Sequence, residues 1–264
     1  ETVADEAHTA DQRMLKLFAH LSMAQWFSFT GNVAEAHAAA DDAHRTSAAM
    51  GGLNEDAVFA ARAYAALAEG DAAAAKAACE SVFTHTVAVR MIYARCLAPM
   101  AEALLACGEI VAARRWTDET VALVPGWHRA IAQTARAHVA MVQGEFDLAE
   151  RDAHDSLSIS IDTGGYIRIP EALEILARLT SKDANHRHAA RLFGAASAIR
   201  ASMAGVRFPA FSHGYDDAVA EIRNALGEDD FDAAWAEGTK LSIEEAVAYS
   251  RRGRGQRKRP ASAG

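Results

Sequence analysis

The sequence predicts an all-α protein built as a stack of helical hairpins. Three observations support this prediction: an alanine-rich composition, a glycine turn that recurs every 36 to 39 residues, and alanines at fixed distances from each turn. Hydrophobic residues make up 51% of the 264 residues, aromatic residues contribute only 7%, and there are five prolines. Closely packed helices suit this balance better than sheets, which favour β-branched and aromatic residues.

The recurring turn joins a glycine to a polar residue between two apolar stretches. Glycine can end one helix in the left-handed conformation, and the Asn, Asp or Glu after it suits the first turn of the next helix. A fifth copy can be placed on Ala184, forty residues after the last glycine. The four glycine pairs are Gly31-Asn32, Gly70-Asp71, Gly108-Glu109 and Gly144-Glu145.

An alanine stands seven residues before and five residues after each of these five turns. All ten positions agree, which predicts that two antiparallel helices approach closely around every turn. The sequence therefore predicts five helical hairpins over residues 1–205. The ten alanines are Ala24, Ala36, Ala63, Ala75, Ala101, Ala113, Ala137, Ala149, Ala177 and Ala189.

Each hairpin contributes two predicted helices. The first helices are expected over about residues 12–30, 55–69, 89–107, 129–143 and 170–180. Their partners are expected over about residues 33–49, 72–84, 110–124, 146–161 and 185–203.

Residues 206–250 predict a C-terminal helical cap on the last hairpin. Residues 206–214 contain Pro209 and predict an ordered linker. Three helices are expected after it, over about residues 216–226, 230–237 and 242–249, and the pair Ser242 and Glu245 has the spacing of a capping box. Residues 251–264, basic and interspersed with glycine, predict a flexible linker.

Charge and targeting signals exclude several classes of protein. The net charge is −8, and because residues 251–259 hold six basic and no acidic side chains, the rest of the chain carries −14. Such an acidic body does not suit a general nucleic-acid binder. Neither a signal sequence nor a long apolar run is present, so we expect a cytoplasmic protein that makes no membrane contact. Since the chain starts at Glu1, we also expect it to belong to a longer protein.

Metal and catalytic motifs are largely missing from the sequence. His37, Asp41 and His44 share one helical face, which could bind a metal weakly or be an ordinary solvated face. His186 and His188 would point apart on a helix. The chain has no phosphate-binding loop, nucleophile elbow or HExxH motif, so we expect no catalytic residue, no metal site and no cofactor.

The turn and its flanking alanines resemble the tetratricopeptide repeat, although most of the large aromatic positions of that family are absent and the intervals exceed its usual 34 residues. The resemblance implies a right-handed superhelix whose inner groove is lined by the first helix of each hairpin. It places groove residues thirteen, ten, six and three positions before each turn. These residues are Gln25, Ser28, Tyr64, Arg95, Glu102, Thr134, His138, Glu171, Glu174 and Arg178.

The C-terminal quarter resembles the end of the repeat region in large LuxR-family bacterial transcriptional regulators of the MalT-like, NTPase-containing kind. The resemblance rests on residues 190–196, 231–238 and 241–249 and on the basic linker after them. Members of that family place a nucleotide-hydrolysing switch, sometimes with a nucleotide-cyclase-like domain, before the repeats and a helix-turn-helix after them. None of those upstream motifs occurs in this chain.

Two functions follow as the leading expectations, and an enzyme with a site hidden in the superhelix is the third and least supported. The first is a sensor and interaction module that binds a small molecule, a peptide or a neighbouring domain of its own parent in the groove, with self-association possible and DNA reached only through a further domain. The second is a stand-alone tetratricopeptide scaffold that collects peptides or proteins.

Overall fold

The computed structural model describes residues 2–85 and 99–257, with side-chain positions for residues 11–81, 99–212 and 214–252. Every regular element in these ranges is a helix, which confirms the all-α prediction for them. The start of the third predicted hairpin, residues 89–98, lies outside the described residues, as does the predicted groove residue Arg95. None of the described helices combines the length and the apolar character needed to cross a bilayer.

The chain divides into two compact units. The first unit contains residues 1–123 and the short segment 206–211. Within it, α1 packs on α2, α3 packs on α4, and α3 contacts both helices of the preceding hairpin. Its helices are α1 (Thr2–Phe29), α2 (Val33–Ala48), α3 (Glu55–Glu69), α4 (Ala72–His85), α5 (described over residues 99–106) and α6 (Ile110–Leu123).

The second unit contains residues 124–205 and 212–264. Its helices are α7 (Gly126–Gln143), α8 (Phe146–Thr163), a short 3₁₀ helix (Tyr166–Arg168), α9 (Ile169–Lys182), α10 (His186–Ser202), α11 (Pro209–Leu226, which begins in the first unit), α12 (Glu228–Gly238) and α13 (Ile243–Arg257). The hairpins α7–α8 and α9–α10 pack side by side, and α12 and α13 pack against α10.

The five predicted turns share one backbone geometry. All four glycines have a positive φ, and Ala184 adopts the same left-handed conformation with φ 58°. At each turn the N–H of the following residue donates to the carbonyl five residues earlier, as Asn32 does to Phe27 at 2.9 Å and Asn185 does to Thr180 at 3.2 Å. This is the hydrogen bond of a Schellman motif, which satisfies a carbonyl at the helix end. The alanine copy is therefore a true fifth turn.

The ten alanines that flank these turns are buried, with at most 1% of their surface exposed. Small buried side chains at these positions allow the two helices of a hairpin to approach closely. Larger residues such as Leu157, Leu173 and Phe193 fill the remaining core of the second unit. The alanine pattern in the sequence therefore reflects the close packing of the two helices in each hairpin.

Three element boundaries differ from the sequence prediction. Helix α1 begins at Thr2, well before residue 12, and α11 begins at Pro209, inside the predicted linker 206–214, because proline suits the first position of a helix. Helix α13 continues to Arg257, so the predicted flexible linker 251–264 is helical over its first half. Arginine is a good helix former, and positive charge near a helix C-terminus stabilises the helix dipole.

The predicted boundary between residues 205 and 206 does not separate the two units. Residues 206–211 lie on the first unit, where the Val206 N–H donates to the Phe29 carbonyl at 2.8 Å. The buried ring of Phe208 stacks on that of Phe29 with 5.3 Å between centroids. An apolar segment that was expected to lead into a cap therefore packs on the turn side of the first two hairpins.

Candidate functional site

A cluster of charged side chains lies in the second unit, around α9. Glu171, Glu174 and Arg178 follow one another at spacings of three and four residues, which places them on one face of this helix. Arg200 on α10 reaches both carboxylates, with Nη1 3.0 Å from Glu171 Oε1 and Nη2 2.8 Å from Glu174 Oε1. One guanidinium thus binds two successive carboxylates of the neighbouring helix.

These ion pairs are largely removed from water. The side chains of Arg200, Glu171 and Glu174 are 11%, 12% and 7% exposed. Burial alone would lower the pKa of Arg200, but the two glutamates outweigh it and raise that pKa. Burial likewise opposes ionisation of Glu171, but Arg200 and Arg168 outweigh it and lower its pKa. Glu171 therefore faces enough positive charge to remain ionised.

Arg168 adds a second buried guanidinium. It ends the 3₁₀ helix just before α9, three residues before Glu171. Its charge lowers the pKa of Glu171 and also that of His138 on α7. Arg168 is therefore close enough to act on both the α9 carboxylates and the α7 imidazole.

His138 and Arg178 occupy equivalent places in neighbouring hairpins, each six residues before its turn. Helices α7 and α9 contact each other. Burial and then the positive charge of Arg178 lower the pKa of His138 to about 4, so its imidazole is neutral near pH 7. A neutral imidazole offers one hydrogen-bond donor and one acceptor.

Arg178 differs from the other arginines of the cluster. Its side chain is half-buried, and within the described part of the chain its guanidinium makes no hydrogen bond or ion pair. Burial lowers its pKa, and the charge of Glu174 only partly opposes this. The charged groups of this cluster are the guanidinium groups of Arg168, Arg178 and Arg200 and the carboxylates of Glu171 and Glu174.

Four of the ten predicted groove residues meet in this cluster, and Thr134 does not. Thr134 is fully buried between α7 and α8, where its Oγ1 donates to the Ala130 carbonyl at 3.0 Å and lies 2.8 Å from Ser156 Oγ. A hydroxyl can satisfy itself on the preceding turn of its own helix and so fits a helix interface. The prediction that Thr134 lines a groove is wrong for this reason.

Among the described residues of the first unit, the predicted groove positions do not form a comparable cluster. Gln25 is half-buried, and Ser28 is fully buried with its hydroxyl donating to the Ala24 carbonyl at 2.8 Å. Glu102 is also buried, and its charge adds to burial in raising the pKa of the Cys79 thiol. Ser28 and Glu102 are therefore interior residues, contrary to the prediction.

Tyr64 is covered by the chain itself. Its ring lies 5.2 Å from that of Phe29 and 6.4 Å from that of Phe208, and only 3% of the residue is exposed. Tyr64 was predicted to line an open groove because the repeat pattern does not reveal that residues 206–211 pack on this hairpin. Aromatic rings of the chain occupy the space where a ligand was expected.

Sequence reasoning missed two residues of the cluster, Arg168 and Arg200. Arg168 continues the face of Glu171 by one helical turn, so the same three-residue spacing, extended by one step, points to it. Arg200 lies on the second helix of its hairpin, where no groove residue was expected. Its role follows only from the packing of α10 on α9.

Two of the histidines considered as metal ligands, His37 and His188, contact a glutamate and a tyrosine. His37 Nε2 lies 3.0 Å from Glu69 Oε2, and Asp41 pairs with Arg62 at 3.0 Å. His188 stacks on Tyr249 with 4.2 Å between ring centroids. Among the residues that the structure describes, no three His, Cys, Asp or Glu side chains are grouped so that they could hold a metal ion.

Comparison with known proteins gives one set of relatives. The chain is 39% identical over 259 residues to a protein of Mycobacterium bovis and to proteins of two Mycobacterium tuberculosis strains, each named as a candidate HTH-type transcriptional regulator. The match covers 98% of this chain and 29% of each relative. No family profile and no solved structure matches the chain. Over nearly its whole length, the chain is therefore similar to a portion of much longer proteins that carry this name.

Proposed function

We propose that this chain is the sensor and interaction module of a cytoplasmic LuxR-family transcriptional regulator. In this proposal its hairpins form a tetratricopeptide-type superhelix that binds a small ligand or a partner domain, and binding changes the availability of a DNA-binding domain elsewhere in the parent protein. The similarity to proteins named as HTH-type regulators supports this function over that of a stand-alone scaffold.

The observation that carries the proposal is the charged cluster on repeat-equivalent positions. His138 and Arg178 stand at the same place in adjacent hairpins, on the first helices that line the groove of a tetratricopeptide superhelix. Burying charged groups on the first helices of a solenoid costs stability, so we infer that they are kept for a purpose other than stability. Ligand or partner recognition is such a purpose.

The chemistry of the cluster favours binding over catalysis. Both carboxylates are already bound to Arg200, and the lowered pKa of Glu171 leaves it no proton to deliver as a general acid near pH 7. The pKa of about 4 makes His138 a weak base. We therefore propose that these residues bind and position a ligand and that the chain acts without a cofactor of its own.

The test uses the full-length regulator in cells. Arg178→Glu reverses the charge at the centre of the cluster and should change both promoter occupancy, measured by chromatin immunoprecipitation, and transcript levels of the regulated genes. The matched control is Arg151→Glu, because Arg151 is exposed on α8 of the same unit. Occupancy and transcripts that match the wild type in the Arg178→Glu strain, with protein levels intact, would overturn the proposal.

A further inference from the structure

We infer that helix α1 mediates self-association by packing, in antiparallel orientation, against α1 of a second copy of the chain. The surface involved is the exposed side of α1 between Leu15 and Trp26, which we call the α1 face. This inference goes beyond the proposed function, since it concerns the first unit and names the chain itself as the partner. The exposure, spacing and charge of the side chains on the α1 face support it.

Large hydrophobic side chains are exposed on the α1 face. Of the ten large hydrophobic residues that are exposed in the described part of the chain, four lie within these twelve residues of one helix. Exposed hydrophobic residues that are scattered singly are ordinary, whereas a contiguous group of them marks an interaction surface. The four are Leu15, Phe18, Met23 and Trp26, which are 70%, 42%, 45% and 51% exposed.

The α1 face points away from the hairpins on which α1 packs. At about 100° per residue, the four hydrophobic residues fall within a sector of about 140° around the helix. Leu17 and Ala24 lie on the opposite side and are fully buried within the first unit. At the C-terminal end of the α1 sector, Phe208 stacks on Phe29 with 5.3 Å between ring centroids, so the chain itself covers that end. From Leu15 to Trp26 the described residues provide no such cover.

The spacing on the α1 face suits pairing with a second copy. The seam between two paired helices repeats at alternating steps of three and four residues. Four exposed residues of the α1 face follow this pattern with steps of four, three and four, namely Leu15, Ala19, Ser22 and Trp26.

This order of steps is the same in both directions along the helix, which is the requirement for an antiparallel pair with two-fold symmetry. A two-fold axis between residues 20 and 21 brings Leu15 of one copy opposite Trp26 of the other. It also brings Ala19 opposite Ser22 at the centre, where small side chains let the two helices approach closely. The large side chains then close both ends of the seam.

Charge does not oppose this pairing. The seam positions between Leu15 and Trp26 carry no charged side chain, and Lys16 lies at the edge of the α1 face. In the antiparallel pair the two Lys16 side chains are separated by nine residue steps, about 13 Å along the helices. That separation exceeds the screening length of about 8 Å at physiological salt, so their repulsion is weak.

The exposed area suits a weak, reversible dimer. At about 150 to 250 Å² for a complete side chain, the four hydrophobic residues expose roughly 400 Å² per copy. Pairing two copies removes roughly 800 Å² from water at these residues alone, and the flanking side chains of α1 bring the total towards the about 1,200 Å² of a small specific interface. We therefore expect dissociation in the micromolar range.

The test is analytical ultracentrifugation of the 264-residue chain at about 1 to 100 µM. A reversible equilibrium between monomer and dimer is expected. Trp26→Lys should weaken the dimer at least about tenfold, because it places an unpaired charge in the seam. The matched control is Val111→Lys on α6 of the same unit. Since Val111 is 83% exposed and lies outside the α1 face, this change should leave the dissociation constant within about twofold.

An exchange of charges tests the antiparallel arrangement. Leu15→Glu alone should weaken the dimer, as Trp26→Lys does. In a chain with both changes, the introduced glutamate of one copy faces the introduced lysine of the other at both ends of the seam. The two positions are about 16 Å apart along α1, so the introduced charges cannot pair within one helix. The double variant should therefore associate more tightly than either single variant.

Three results would overturn the inference. The first is a folded wild-type chain that stays monomeric at about 100 µM. The second is equal weakening of the dimer by Val111→Lys and Trp26→Lys, with circular dichroism confirming that both variants fold. The third is a double variant that associates more weakly than both single variants. None of these results bears on the proposed function, because the promoter-occupancy test of Arg178→Glu does not depend on α1.

Discussion

Arg200 Nη2 lies 2.8 Å from Glu174 Oε1, and the same guanidinium reaches Glu171 at 3.0 Å, so one arginine of α10 holds two carboxylates of α9. We predict that Arg200→Gln lowers the free energy of unfolding by about 3 kcal/mol, because it leaves buried carboxylates without their counter-charge. Urea denaturation followed by circular dichroism measures this loss.

The control for that prediction is Arg187→Gln on the same helix. Arg187 pairs with Glu237 at 3.0 Å, but its side chain is 55% exposed, so its loss should cost less than about 1 kcal/mol. Equal losses in the two variants would show that burial does not distinguish these ion pairs.

The turn residues predict stability changes of opposite sign. Gly144→Ala forces a methyl group into a left-handed turn with nothing else within 4 Å, so only backbone strain acts, and the cost should be about 1 kcal/mol. Ala184→Gly removes the same strain at φ 58° and should stabilise the protein by about 0.5 kcal/mol. Thermal unfolding of both variants tests this, and a loss of stability in Ala184→Gly would contradict it.

The crossing of α10 and α12 depends on two glycines. A Cβ at Gly194 would overlap the backbone carbonyl of Trp235, and a Cβ at Gly238 would overlap that of Arg191. We predict that Gly194→Ala and Gly238→Ala each destabilise the protein by about 2 to 3 kcal/mol, since neither helix backbone can yield locally.

Gly214→Ala is the matched control for the crossing. Gly214 lies within α11, and an added Cβ there would meet nothing within 4 Å. Because alanine is the better helix former, this change should be neutral or stabilise by up to about 1 kcal/mol. If all three glycine substitutions cost the same in chemical denaturation, the close approach of α10 and α12 would be wrong.

His138 makes stability depend on pH. Its pKa is about 4 in the folded chain and near 6.5 when unfolded, so protonation favours the unfolded state. The stabilisation from its neutral form is complete above about pH 6.5 and is lost as the pH falls towards 4. We expect a loss of about 1 to 2 kcal/mol. This is less than the full pKa shift implies, because the ring keeps some contact with water.

The comparison is with His138→Gln, which has no titrating ring. The unfolding free energies of wild type and variant are measured in urea at pH 7, 6, 5 and 4. As the pH falls, the wild type should lose more stability than the variant does. The charges acting on the ring are Arg178, Glu171, Arg168 and Arg200, and all remain in both proteins. A difference that stays constant across this range would mean that the ring titrates normally.

The sequence predicted the hairpins because their determinants are local. A left-handed residue at a turn and alanines at fixed offsets depend on neighbours within one hairpin, and even Ala184, which lacks the expected glycine, keeps the turn. Helix ends were less predictable: α13 extends to Arg257 because charge and helix propensity outweigh the glycines of the basic segment.

The candidate site was predictable only where its residues belong to one repeat position. His138, Glu171, Glu174 and Arg178 were found because first-helix positions recur. Tyr64 was misplaced because its cover, Phe208, comes from a distant part of the sequence. Packing between helices decides whether a polar residue faces a groove or makes its hydrogen bonds inside a helix interface. The periodicity of a single helix does not contain that information.

Promoter occupancy of the full-length regulator tests the proposed function most directly. We predict that chromatin immunoprecipitation finds an altered occupancy in the Arg178→Glu strain and wild-type occupancy in the Arg151→Glu strain, because Arg151 is exposed on α8 outside the charged cluster. Wild-type occupancy in both strains at equal protein levels would contradict the proposal.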